Sequence, residues 1–196
     1  ALPRAAVVVC LTSALLSGLL ENVDQLRGHD RHRLLTAEEL DVAAQVPHGP
    51  VRAYVMGERG AKNEPATAED IDAMASIVRE GIEAGAFGFS TSRTIAHMAI
   101  DGEPVPGTFA AEDELFGIGR VLGELGTGVF ELAPAGALGE DLAAPDREMA
   151  WMRKLSAEIG RPVTFALTQN DHDPDAWYRM LELGAVDIIT PDLQKT

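Results

Sequence analysis

The sequence predicts an α/β fold built on a parallel sheet, and three observations point there. From residue 51 onward, short apolar runs alternate with longer stretches of helical periodicity. The short runs are apolar almost throughout, as strands covered by helices are, rather than alternating with polar residues. Glycine closes nearly every helical stretch, the usual sign of a helix C-terminus.

In chain order, Val51–Met56 (VRAYVM) is β-branched and aromatic and reads as a strand broken by Gly57 and Gly60. Thr67 with Asp70 three residues on marks a helix start. Ile71, Met74, Ala75, Val78 and Ile82 then recur at helical spacing up to Gly85. Ala86–Ser90 reads as the next strand, followed by a long polar loop and a helix over Ala111–Leu125 that stops at Gly126. Gly128–Ala133 (GVFELA) is a strand, and the helix after it spans Asp146–Ile159 and ends at Gly160. Pro162–Leu167 (PVTFAL) is a fourth strand, Asp173–Leu183 a helix with Pro174 in its first turn, and Val186–Ile189 a fifth strand.

Four to five β-α units, with strand starts spaced by about 24 to 42 residues, suit a (β/α) barrel or a doubly wound sheet. Neither G-x-G-x-x-G nor G-x-x-x-x-G-K-[ST] occurs, which disfavours the nucleotide-binding alternative. The expectation is therefore a partial TIM-like barrel over residues 46–196, preceded by an N-terminal helical segment over 1–45 that does not share the rhythm. Within it Leu11–Leu26 and Thr36–Ala44 read as helices. Ala5–Leu20, only 16 residues after Arg4, is short for a bilayer span and reads as a buried or amphipathic helix or as a signal-peptide core. The first residue is Ala1 rather than Met, which suits a processed chain or a fragment.

Composition narrows the function. With 46% apolar and 24% charged residues the chain can bury a core. A formal charge of −15, without a basic run, argues against nucleic acid as a partner, because phosphate binding rests on Lys and Arg. Cys10 is the lone cysteine and no Asn-x-Ser/Thr site occurs, so a cytoplasmic setting is the default. The expected partner is a small-molecule substrate, not a membrane. A partial barrel exposes strand edges, so a homo-oligomer or a missing remainder of the barrel is expected as well.

In parallel β/α folds, functional groups gather where strands end and loops begin. That rule selects Glu58 and Arg59, Ser90–Arg93 with His97, Glu131, Gln169–Asp173, and Thr190 with Asp192. Ser90, Thr91, Ser92, Arg93 and Thr94 place four hydroxyls and a guanidinium in one turn, which could hold a carboxylate or phosphate or could simply satisfy local backbone groups. Glu131 interrupts an apolar strand. Facing a barrel mouth it could bind metal or act as a base, and facing the helices it would be costly to bury. Asp171, His172 and Asp173 read as a cluster or, with Pro174, as a helix cap, the cap being favoured. No H-x-H, H-E-x-x-H, C-x-x-C or G-x-S-x-G motif is present, and His29 with His32 lies in a polar connector.

The runs VPHGPVRAYVMGERG, TAEDIDAM, IEAGAFGFSTSR and VPGTFAAEDEL resemble the D-aminoacylase, N-acyl-D-amino-acid deacylase-like branch of the amidohydrolase superfamily, over roughly residues 41–190. The resemblance implies a TIM-like barrel, normally with an added β-sandwich, that hydrolyses the amide bond of a small N-acylated amino acid with a divalent metal such as zinc. It also implies metal-binding histidines at the ends of two consecutive strands. The matching positions here hold Glu131, which leaves a carboxylate as metal ligand, and Leu167, which cannot ligate. The strand-1 metal motif and a late catalytic Asp have no visible counterpart. His48, Ser90, Thr91, Ser92 and Arg93 match the family sequence and are candidates for the substrate pocket, together with His97 in the following loop. Two other readings stay open: a non-catalytic small-molecule-binding descendant, and a barrel enzyme of another class that grips phosphate with the Ser/Thr/Arg turn.

Overall fold

The computed structural model describes residues 43–136, 139, 141, 143–167 and 173–184. The expected helices before residue 43, the fifth strand at 186–189, and Cys10, His29, His32, Gln169, Asp171, His172, Thr190 and Asp192 lie outside that set. The described elements are β1 (Gln45–Pro47), α1 (His48–Met56), α2 (Glu58–Ala61), α3 (Ala68–Glu83), β2 (Gly88–Ser92), α4 (Glu112–Leu125), β3 (Val129–Ala133), α5 (Ala144–Ile159), β4 (Val163–Phe165) and α6 (Ala176–Gly184). The four strands form one sheet in the order β1-β2-β3-β4, and every pairing is parallel.

One expected strand is a helix. Val51–Met56 lies inside α1, and the first strand is the three-residue segment before it. The β-branched and aromatic side chains favoured a strand, but that preference is a weak prior which burial overrides. His48, Val51, Arg52 and Met56 are the buried residues of α1, a helical spacing, while Tyr54 stands exposed. Pro50 in the first turn and Gly57 past the end were the signals of a helix.

The remaining helices form close to where the sequence places them. Thr67 caps α3 through a reciprocal box: its hydroxyl accepts from the Asp70 amide at 3.2 Å, and the Asp70 carboxylate accepts from the Thr67 amide at 2.9 Å. Both α4 and α5 end in left-handed glycines, Gly126 (φ 65°) and Gly160 (φ 62°), a conformation that costs other residues a clash at Cβ. α6 starts three residues after Asp173, whose carboxylate pairs with Arg179 instead.

The register separates two faces. Val46, Phe89, Phe130 and Val163 stand in one row across the sheet. Val46 meets Gly81 of α3, the Phe89 ring packs at a tilt against His48 of α1, and Phe130 packs against Gly119 of α4 and Trp151 of α5. Helices α1, α3, α4 and α5 therefore lie on one face with the core beneath them, and the contacts of the described residues place no helix on the other. The next row, Pro47, Ser90, Glu131 and Thr164, points to the opposite face, because side chains alternate along a strand.

Candidate functional site on the helix-free face

Glu131 turns away from the helices, the orientation that the sequence left open. Gln45 donates to it from Nε2, although β1 and β3 are separated by the whole width of β2. The reach is feasible because the residues of the intervening strand that lie between them on that face are the small Gly88 and Ser90. Gly88 is required for a second reason, since a Cβ there would stand 2.0 Å from the Val129 carbonyl oxygen. Gln45 is only 8% exposed, and its Oε1 is buried without a hydrogen-bond partner. Sequence reasoning missed Gln45. Its one signal was a polar residue two positions before Pro47, in a segment too short to read as a strand.

Ser90 and Ser92 share this face with Glu131, Ser90 lying directly beside it in the register. At the C-terminal end of β2, Ser92 Oγ lies 2.7 Å from His97 Nδ1. The His97 main chain is fixed by the Val105 amide (3.0 Å) and the Thr94 carbonyl (3.3 Å), so the loop presents an exposed imidazole at the sheet's C-terminal edge.

The other candidates turn elsewhere. Thr91 points into the helix layer, where its hydroxyl lies 2.8 Å from His48 Nδ1. His48 Nε2 lies 2.9 Å from Glu114, and Arg52 Nε donates to the same carboxylate at 2.8 Å. His48, Arg52 and Glu114 are each 1% exposed, so this is an internal clasp between α1 and α4. Burial opposes the charge on Glu114, but the hydrogen bonds from His48 and Arg52 outweigh it and hold the carboxyl below the ordinary carboxylate range. Arg93 is engaged by the protein: Nε donates to both oxygens of Glu148 (2.9 and 3.1 Å), Nη1 donates to the Ala110 carbonyl (2.7 Å), and the guanidinium lies 5.6 Å from the Trp151 ring centroid. Its charge is thus paired before any anion arrives. Glu58 and Arg59 do not follow a strand at all; Glu58 pairs with Lys62 and Arg59 with Asp70.

A sequence profile of the amidohydrolase family matches residues 29–192. The chain belongs to the amidohydrolase family. Two solved structures show the same fold: a D-aminoacylase variant in complex with copper(II) chloride (TM-score 0.61, 19% identity), and a D-aminoacylase described through the functional role of its binuclear metal centre (TM-score 0.59, 20% identity). Each likeness covers 79% of this chain and 30% of the other, so this amidohydrolase chain spans about a third of their length. No curated protein matches the chain. The four-stranded parallel sheet is accordingly part of a TIM-like barrel.

The described part of this amidohydrolase does not fit a binuclear metal centre. Among the described residues no three His, Cys, Asp or Glu side chains lie together in a way that could hold an ion. Leu167, which the resemblance aligns with a ligand, is a buried hydrocarbon side chain 4% exposed. Glu131 alone contributes a carboxylate from its row, and that carboxylate is hydrogen-bonded by Gln45.

Proposed function

We propose that this chain is the central segment of an amidohydrolase that cleaves the amide bond of a small N-acylated amino acid. The family match over residues 29–192 carries the reading, and the parallel sheet of the D-aminoacylase structures supports it. Within that reading, the helix-free face and the C-terminal edge are the substrate side. Glu131 supplies negative charge there, Gln45 holds the carboxylate in place, and Ser92 with His97 offers a hydroxyl and an imidazole at the rim. His48, Thr91 and Arg93 serve by positioning: the first two fix β2 against α1, and Arg93 ties the loop after β2 to α5. Metal dependence, with zinc the first ion to examine, is part of the proposal, and its ligands would have to come largely from beyond the described residues. The remaining partner is the rest of the barrel or a second copy of the chain.

Buried Leu167 favours a second reading, a non-catalytic small-molecule-binding descendant of the same fold. The native protein, incubated with N-acetyl-D- and N-acetyl-L-amino acids, separates the two. Release of free amine that chelation abolishes and zinc restores is the expected result. Ligand-induced thermal stabilisation without release would establish the binding module instead.

A further inference from the structure

We propose that Ser92 and His97 form a nucleophile–base pair that takes an acyl group from a small ester, an activity separate from amide hydrolysis. Ser92 Oγ lies 2.7 Å from His97 Nδ1, close enough for the hydroxyl to pass its proton to the ring nitrogen. A serine hydroxyl alone is a weak nucleophile, and a base within hydrogen-bond reach is what activates it. Thr91 with His48 is a second hydroxyl–imidazole pair and serves as the contrast. There Thr91 and Glu114 occupy both ring nitrogens and His48 is 1% exposed, so that pair is closed to substrate. Ser92 is half-buried and His97 exposed, which opens the rim pair to a ligand.

Main-chain bonds hold both partners, so the pair does not depend on its own hydrogen bond to stay together. On the strand side the ladder runs one residue past Ser92, the Arg93 amide donating to the Ala133 carbonyl at 2.8 Å. On the loop side the Ala99 amide donates to the Glu103 carbonyl at 2.7 Å and the Val105 amide to the His97 carbonyl at 3.0 Å, which closes a short hairpin. Asn63 pins the return arm: Nδ2 donates to the Pro104 and Val105 carbonyls (3.1 and 3.2 Å), and Oδ1 accepts from the Gly107 amide (2.8 Å). These bonds offset the cost of the left-handed backbone at Asn63 (φ 57°). Such fixing of two reacting groups lowers the entropy cost of their reaction. In the tautomer protonated at Nε2, His97 accepts at Nδ1 from the Ser92 hydroxyl. Oγ attacks the ester carbonyl carbon, its proton passes to Nδ1, the C–O bond to the alcohol breaks, and the alcohol leaves with that proton. Water then attacks the acyl-serine and gives one proton to Nδ1. The bond from Oγ to the acyl carbon breaks, Oγ takes the proton back, and a carboxylic acid departs.

Treatment of the full chain with p-nitrophenyl acetate, with and without EDTA, tests the pair. A stoichiometric burst of p-nitrophenolate is expected in both conditions, with the acetyl group found on Ser92 by peptide mass spectrometry. Ser92→Ala should abolish burst and label, and His97→Gln should slow acylation by about 100-fold or more, the usual share of a positioned base. Ser92→Cys in a Cys10→Ala background reads out even where Ser92→Ala does not fold: its thiol should be acetylated faster than the serine, and adding His97→Gln should remove that gain. The proposal is overturned by absent acetylation of Ser92, by label on His97 or on lysines in its place, by rates indifferent to His97→Gln in both backgrounds, or by a burst that EDTA abolishes. The ester probe requires neither amide cleavage nor a metal, so failure of the pair and failure of the hydrolase reading are separate results.

Discussion

Glu114, His48 and Arg52 show how charge is kept inside this fold at almost no exposure. Arg52 also donates to the Gly60 and Glu64 carbonyls, so its guanidinium is satisfied on several sides. Such a clasp is weak evidence of net stabilisation, but removing one partner strands the others. Glu114→Gln leaves Arg52 buried without its counter-charge, and urea unfolding should show a loss of about 3 kcal/mol or more. The pH dependence follows from the lowered pKa of Glu114. A carboxyl held below its unfolded value contributes stability that is present above about pH 4.3 and is lost as the pH falls through the folded value. Wild type should therefore lose stability on acidification below about pH 4 through this residue, and Glu114→Gln should lack that component. Equal acid sensitivity in the two proteins would show that the clasp is not the titrating unit.

At the scale of elements, the sequence was legible where one local signal dominated. The capping box at Thr67 announced α3, and Thr67→Ala should cost about 1 kcal/mol in a denaturant titration. Gly126 and Gly160 announced the ends of α4 and α5. Legibility failed where tertiary contacts decide. α1 carries β-type side chains yet is helical, because His48 and Arg52 one turn apart both reach Glu114. β1 was missed because three residues are too few to show a period, and with it went Gln45. The family sequence singled out His48 and Thr91 without revealing that they face the helices, since facing is a matter of register and a one-residue slip reverses it. Gly88 lies at the meeting of strand and site. Gly88→Ala drives a methyl into the Val129 backbone and obstructs the path of Gln45 to Glu131. A stability loss of about 1–3 kcal/mol is expected from such overpacking. Unchanged unfolding midpoints would mean that β2 and β3 lie further apart than the register requires.

For the molecule as a whole, the α/β class and the parallel order were readable from rhythm alone, because strand and helix repeat in a way that few architectures accommodate. The function was readable only as family likeness: the described residues hold one carboxylate on the helix-free face where the resemblance implies a metal centre. No helix among the described residues is long and apolar enough to cross a membrane. The central claim is that Ser90 and Glu131 stand side by side on the face opposite the helices, in parallel strands, while Thr91 stands on the other. Disulfide trapping measures this directly. In a Cys10→Ala background, Ser90→Cys with Glu131→Cys should cross-link under mild oxidation, since paired positions in adjacent strands put the two Cα atoms within the range a disulfide spans, with both side chains on one face. Thr91→Cys with Glu131→Cys should not cross-link; efficient trapping of that second pair, with the first remaining reduced, would contradict the register, the orientation of Glu131 and the site built on them.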